Sequence, residues 1–161
     1  MNILLTGGAG YIGSHTSLCL IEKGHTVTVV DNLITGNVKL VPKKANFFNS
    51  DISDKNKIKN LLKENKFDLI MHFAGLVKVE ESLKNPEKYN LYNFEKAKAF
   101  FDYCLEFGLN KIIFSSTAGV YGKIKDFKKV KENDKLEPSN PYASSKYKLE
   151  KYLLNLSKEK K

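Results

Sequence analysis

The sequence predicts an α/β fold, a doubly wound parallel sheet. Three observations carry that expectation. Short apolar runs alternate with helix-like segments through residues 1–122. The first run, Asn2–Thr6 (NILLT), is continuously apolar through its centre, as a strand buried on both faces requires. A glycine-spaced turn, Gly7-Gly8-Ala9-Gly10-Tyr11-Ile12-Gly13, joins that run to the first helix-like segment. Alternation of this kind winds with right-handed crossovers into a parallel sheet.

Each further element has its own signal. Tyr11–Lys23 reads as a helix, with Gly24 at the position just past its end. Thr26–Val30 (TVTVV) is β-branched and strand-like, and Ala45–Phe48 is a third, shorter strand. Asp54–Asn65 is amphipathic, with Ile58, Leu61 and Leu62 on one face. Phe67–Phe73 (FDLIMHF) is a fourth strand. Pro86–Phe107 reads as one long helix between an initiating proline and the terminating Gly108. Lys111–Ser116 (KIIFSS) is a fifth strand, and the polar, Lys-rich stretch Gly122–Ser139 is a surface loop. Asn140 then caps a last helix, with Pro141 at its first position.

Composition narrows the function. The 161 residues carry a net charge of +9, yet all 27 basic residues are lysine. A chain built to read bases or grip phosphates would use bidentate guanidinium groups, so nucleic acid is not the expected partner. The excess is local: residues 1–122 carry a net +3 and residues 123–161 a net +6. No run reaches the 18 or so apolar residues of a membrane span. The opening MNILLTGGAG has no basic leader region, so a cytoplasmic protein is expected. Cys19 and Cys104 read as buried, reduced thiols rather than a disulfide. No metal site is expected.

The glycine loop has a chemical reading. Gly7 and Gly10 allow a tight turn and close approach of a pyrophosphate to the backbone, and Gly13 lets the helix pack on the sheet. The helix N-terminus supplies free N–H groups and a positive dipole, so the site needs no basic side chain. Asp31 lies 18 residues after Gly13, at the end of the second strand, where an acid accepts hydrogen bonds from both ribose hydroxyls. It would repel a 2′-phosphate, which favours NAD over NADP. Together these describe a Rossmann-type NAD-binding domain spanning residues 1–161.

The last helix carries a second signal. Tyr142 and Lys146 stand at i and i+4, on one helix face. A phenol is a poor base at neutral pH, and a neighbouring cation favours its phenolate. The phenol could then exchange a proton with a substrate hydroxyl, with Thr117 as a second hydroxyl donor beside it and Lys146 on the nicotinamide ribose.

Taken together, these motifs resemble the extended short-chain dehydrogenase/reductase superfamily, and within it the UDP-glucose 4-epimerase family. GGAGYIGSH at Gly7–His15, which includes Gly10, Tyr11, Ile12 and Gly13, is similar to the family's nucleotide loop. Asp31-Asn32-Leu33 resembles its ribose-binding turn, followed by a similar Ile34-Thr35-Gly36-Asn37. Asp51-Ile52 resembles its adenine-contacting pair, and His72-Phe73-Ala74-Gly75-Leu76 its loop near the nicotinamide ribose. Glu81-Ser82, Pro86 and Asn93 fall in matching places, Asn93 where the family has a cofactor-contacting asparagine. The run Ser115-Ser116-Thr117-Ala118-Gly119-Val120-Tyr121-Gly122 and Asn140-Pro141-Tyr142 through Lys146 complete the match.

The resemblance implies hydride transfer between C4 of a UDP-hexose and NAD, through a 4-keto sugar, with Tyr142 as acid and base. It also implies a homodimer formed through Pro86–Phe107 and Tyr142–Lys160. Related dehydratases carry a Thr-Asp-Glu triplet where this chain has Thr117-Ala118-Gly119, so no carboxylate stands ready for elimination. Val77 follows Leu76 where many epimerases have lysine. The family runs to roughly twice this length, so the expectation is a domain that lacks its last strands and the substrate lobe. Two alternatives stay open: an NAD-binding module without catalysis, and another sugar-nucleotide epimerase of the same superfamily.

Overall fold

The computed structural model describes residues 1–124 and 129–159. The chain divides into two compact units. The sheet unit comprises Met1–Gly75 and Ala99–Ser115, and the helical unit Leu76–Lys98 and Ser116–Lys161.

In the sheet unit the strands are β1 (Asn2–Thr6), β2 (Thr26–Asp31), β3 (Asn46–Asn49), β4 (Leu69–His72) and β5 (Ile112–Phe114). They form one sheet in the order β3-β2-β1-β4-β5, and every pairing is parallel. This is the doubly wound, Rossmann-type order that the alternation predicts. β1 lies at the centre, with Ile3, Leu4 and Leu5 buried, which explains its unbroken apolar run. Helix α1 (Tyr11–Glu22) follows β1, and α2 (Lys55–Glu64) follows β3. Ile58, Leu61 and Leu62 are the buried face of α2, and the Asp54 side chain caps it by accepting from Lys57 N at 3.1 Å. Leu5, Val27 and Val29 pack with Leu20, Ile21 and Met71 in one core cluster. Elsewhere in the unit, the buried His72 ring sits among Phe100, Phe101 and Phe114, with its Nδ1 2.7 Å from Thr6 Oγ1.

The helical unit holds α3 (Val79–Lys84), α4 (Pro86–Asn90) and α6 (Pro141–Glu159). Between α4 and α5 (Lys96–Glu106) the chain makes one π turn, Leu91–Glu95. The single long helix expected over Pro86–Phe107 is therefore interrupted. The residue at the centre of the turn, Asn93, is buried with its amide bonded outside the helix, a demand that 3.6-residue spacing does not signal. The short helix α3 has no counterpart among the sequence expectations. The Asn140 cap is present: its Oδ1 accepts from Ala143 N at 2.9 Å. Part of the expected Gly122–Ser139 loop, residues 125–128, lies outside the described residues, as do 160 and 161.

One expectation is corrected. Cys104 is buried, and burial pushes its thiol pKa well up, but Cys19 is exposed on the outer face of α1. The buried face of α1 is instead made of Gly13, Ser14 and Ser17. Among the described residues no helix is long and apolar enough to cross a membrane, and no group of His, Cys, Asp and Glu could hold a metal ion.

Candidate functional site

In the sheet unit the expected cofactor residues gather at the carboxyl ends of β1, β2 and β4. That edge is where open α/β sheets bind their ligands. The turn after β1 is tight. Gly7 has φ +74°, and a Cβ there would lie 2.5 Å from Ala74 N. A Cβ on Gly13 would lie 2.2 Å from Gly7 O. Both positions exclude any side chain for reasons internal to the fold. Gly10 differs: a Cβ there would meet only Gly7 O, at 3.3 Å. Gly10 is also the N-cap of α1 and offers no side-chain acceptor, and the first turn carries no acid. The N–H groups of that turn are left for an anion. Tyr11 and Ile12 begin the helix, and both are exposed.

Asp31 closes the loop from the side. It is only 8% exposed, and its Oδ2 accepts from Ala9 N at 3.0 Å. Its Oδ1 accepts from Leu33 N at 2.9 Å, and Leu33 turns back at φ +60°. A Cβ on Gly36 would sit 2.9 Å from both Asp31 Oδ1 and Ala9 Cβ, so only glycine fits against that carboxylate. Thr35 beside it is exposed. Asn32 donates to Asp51 Oδ2 at 2.9 Å, and Asp51 Oδ1 accepts from Ser53 N and Oγ, which joins the second and third strand ends. Ile52 is buried. Phe73, Ala74 and Gly75 follow β4 beside Gly7, and Ser115 follows β5, its N–H donating to His72 O at 3.1 Å. This cradle fits a dinucleotide: free helix-end donors, an open glycine, and a buried acid set at the ribose distance along the chain.

In the helical unit, Tyr142 and Lys146 lie on α6. Ala143, Ser145, Lys146 and Leu149 are its buried positions. Lys146 is only 4% exposed, and that burial draws its pKa down from 10.5 to about 8. Thr117 sits in the turn before a short 3₁₀ segment, Ala118–Tyr121, and its Oγ1 accepts from Gly119 N at 3.2 Å. A Cβ on Gly119 would lie 3.3 Å from Ala143 Cβ, so this turn packs on α6 next to Tyr142. Ser116 Oγ donates to Glu150 Oε2 at 2.8 Å, a second tie to the same helix.

Two residues of this face, Tyr89 and Ser145, have no role among the sequence expectations. Tyr89 is fully buried and meets the Tyr142 ring edge-on at 6.4 Å between centroids. Its hydroxyl donates to Glu81 Oε2 at 3.3 Å, and Lys88 pairs with Glu81 Oε1 at 2.6 Å. Desolvation, with the Glu81 charge second, raises the Tyr89 phenol pKa. Ser145 joins Tyr142 O to Asn93. Its place three residues after Tyr142, on the same helix face, was the available signal.

A profile of the NAD dependent epimerase/dehydratase family matches residues 3–161. The chain belongs to that family. A UDP-glucose 4-epimerase of Lacticaseibacillus casei is 43% identical over 153 residues, 95% of this chain and 46% of its own length. The solved UDP-Glc/GlcNAc 4-epimerase of Campylobacter jejuni superposes with a TM-score of 0.93 at 40% identity, covering 98% of this chain and 49% of that one. The Thermus thermophilus UDP-glucose 4-epimerase, solved with NAD, gives 0.94 at 34%, covering 99% of this chain and 51% of that one. The chain thus spans about half the length of the relatives it matches.

Proposed function

We propose that this chain binds NAD and carries the proton chemistry of epimerisation at C4 of a UDP-hexose, with Tyr142 as acid and base. The observation that carries the reading is the α6 face, where Tyr142 and the buried Lys146 share one side and the Thr117 turn packs against Ala143. Family membership adds the cofactor class.

The roles follow from the residues. Gly7, Gly10, Tyr11, Ile12 and Gly13 take the pyrophosphate on backbone N–H groups. Asp31, with Asn32, Leu33, Thr35 and Gly36 around it, takes the adenosine ribose. Asp51 and Ile52 border the adenine, and Phe73, Ala74, Gly75, Asn93 and Ser115 serve the nicotinamide side. Lys146 holds the nicotinamide ribose and sets a cation near the phenol. Tyr142 removes the proton of the sugar 4-OH and later returns it, while Thr117 hydrogen-bonds the same oxygen. Bound NAD supplies the hydride acceptor and donor, and the net redox change is zero. Ala118 and Gly119 leave the turn without a carboxylate, which disfavours elimination of water. The proposed partners are the UDP-hexose and a second copy of the chain, met through Pro86–Phe107 and Tyr142–Lys160, in a cytoplasmic setting.

A second reading, NAD binding without turnover, is favoured by one fact: the chain spans about half of its relatives' length. One experiment separates the two. NAD⁺ is titrated into the purified chain by calorimetry, then UDP-glucose is added while reduced-nicotinamide absorbance and UDP-galactose are followed. Sugar-dependent reduction that falls at least about a hundredfold in Tyr142→Phe, with NAD binding kept, supports epimerisation. NAD binding with no reduction selects the second reading, and no NAD binding rejects both.

A further inference from the structure

We infer that Tyr89 is a positioning residue for Tyr142: Glu81 anchors its hydroxyl, and its ring then holds the Tyr142 ring side-on. The inference rests on the function proposed above, in which Tyr142 is the acid and base.

A phenol with no exposed surface needs a partner for its hydroxyl, and Tyr89 is 0% exposed. Its O–H donates to Glu81 Oε2 at 3.3 Å. Glu81 is held in turn, because its Oε1 accepts from Lys88 Nζ at 2.6 Å. The Lys88 ammonium keeps the Glu81 carboxyl below the usual carboxylate range. Desolvation, with the Glu81 charge second, raises the Tyr89 phenol. At neutral pH the carboxylate is therefore charged and the phenol protonated, so the hydrogen between them lies on Tyr89. The two phenols differ in use. The Tyr89 hydrogen is committed to Glu81, and proton exchange falls to Tyr142.

Anchored at both ends, the Tyr89 ring has one direction. Its Cα belongs to α4 and its hydroxyl to Glu81 on α3, so the ring spans two helices. The Tyr142 ring stands against it at 6.4 Å between centroids and 87° between planes. That is an edge-to-face contact, an arrangement aromatic pairs prefer. Tyr142 is the second residue of α6, so no preceding helical turn lies under its side chain. Tyr89 is the one ring it meets among the described residues. The direction of the Tyr142 phenol is thus set from α4 and α3, by a residue that touches no ligand itself.

The test uses the full chain with Tyr89→Leu, Tyr89→Phe, Glu81→Ala and the double variant of the last two. Tyr89→Leu removes the ring, whereas Tyr89→Phe and Glu81→Ala keep the ring and remove its anchor. Tyr142 ring resonances are followed by NMR, NAD⁺ affinity by calorimetry, and UDP-glucose-dependent reduction by nicotinamide absorbance. Loss of the ring contact predicts an about tenfold fall in reduction rate for Tyr89→Leu. Tyr89→Phe and Glu81→Ala should each fall by about threefold, and the double variant no further, because both cut one hydrogen bond. NAD⁺ affinity stays within about twofold throughout, since neither residue is assigned to the cofactor. The Tyr142 resonances move in every variant. Should Tyr89→Leu fail to fold, the other three carry the test. A merely structural role would lower stability and leave the Tyr142 resonances in place, and that result overturns the inference. So does a fall in NAD⁺ affinity as large as the fall in rate, or a double variant in which the two losses add. Should the wild-type chain reduce no NAD⁺, the proposed epimerisation fails. The Tyr142 resonances then decide the inference alone: movement in both Tyr89→Phe and Glu81→Ala supports it, and constancy in either overturns it.

Discussion

The sheet unit and the helical unit present the groups proposed to meet ligands in opposite ways. Around β1, β2 and β4 the groups are backbone N–H donors bared by glycine, with Asp31 as the single buried charge, steadied by two amides. On α6 they are side chains, Tyr142 and Lys146, and an ammonium is buried with them. Even the two helix ends contrast. α1 begins at Gly10 with no side-chain cap, whereas α6 begins under Asn140, which accepts from Ala143 N. The first design meets its one buried charge, Asp31, with two amide donors, which offsets its desolvation. The second stores its cost in Lys146.

The largest effect should come from the loop glycines, and it divides them. In Gly13→Ala the new methyl would stand 2.2 Å from Gly7 O, backbone that cannot yield without moving the strand end. Helix propensity gains about 1 kcal/mol, but overpacking costs about 3 kcal/mol or more and wins. Urea denaturation should show a large loss, or no folded protein. Gly10→Ala meets only one atom, at 3.3 Å. It should keep stability within about 1 kcal/mol while its ADP affinity falls by about tenfold or more. If Gly10→Ala binds ADP normally, the cradle is a plain turn, and the contrast between the units collapses.

Lys146 is next. Its folded pKa of about 8 lies below the ordinary 10.5. Between those values the unfolded chain binds more protons than the folded one, so stability rises as pH climbs through that window. Below pH 8 the full cost stands, roughly 3 kcal/mol. Lys146→Met should therefore raise the neutral-pH stability by up to that amount and flatten the alkaline slope, while the proton chemistry proposed for Tyr142 is lost. Melting curves at several pH values check it. An unchanged slope would mean that α6 carries no stored cost.

What the residues reveal in advance follows the same division. A glycine loop is legible because its requirement is steric and local: Gly7, Gly10 and Gly13 announce themselves by spacing, and Asp31 by distance along the chain. β1 and β2 are equally plain, since a buried parallel strand is a run of apolar residues, whereas the edge strands β3 and β5 have no fully buried residue. The support of α6 is not plain. Asn93 meets Ser145 across 52 residues of sequence and Tyr89 meets Tyr142, and neither the π turn nor the Asn93 bonds leave a periodic trace. Cys19 departs from its expected burial because α1 packs through Gly13, Ser14 and Ser17, small residues that read as neutral in an apolar count.

The smallest effect tests the helix ends themselves. Asn140→Ala removes the acceptor for Ala143 N and should cost about 1 kcal/mol, a shift of a few degrees in Tm. ADP affinity should not change, because α6 is capped from within the protein and its N-terminus has no anion to hold. At α1 the cap is missing from the protein, and ADP should supply it: bound ADP should raise the Tm of Asn140→Ala by as much as it raises the wild type's. If Asn140→Ala instead weakens ADP binding, the two helix ends are not independent, and the division between a backbone-built site and a side-chain-built one would have to be redrawn at Asn140.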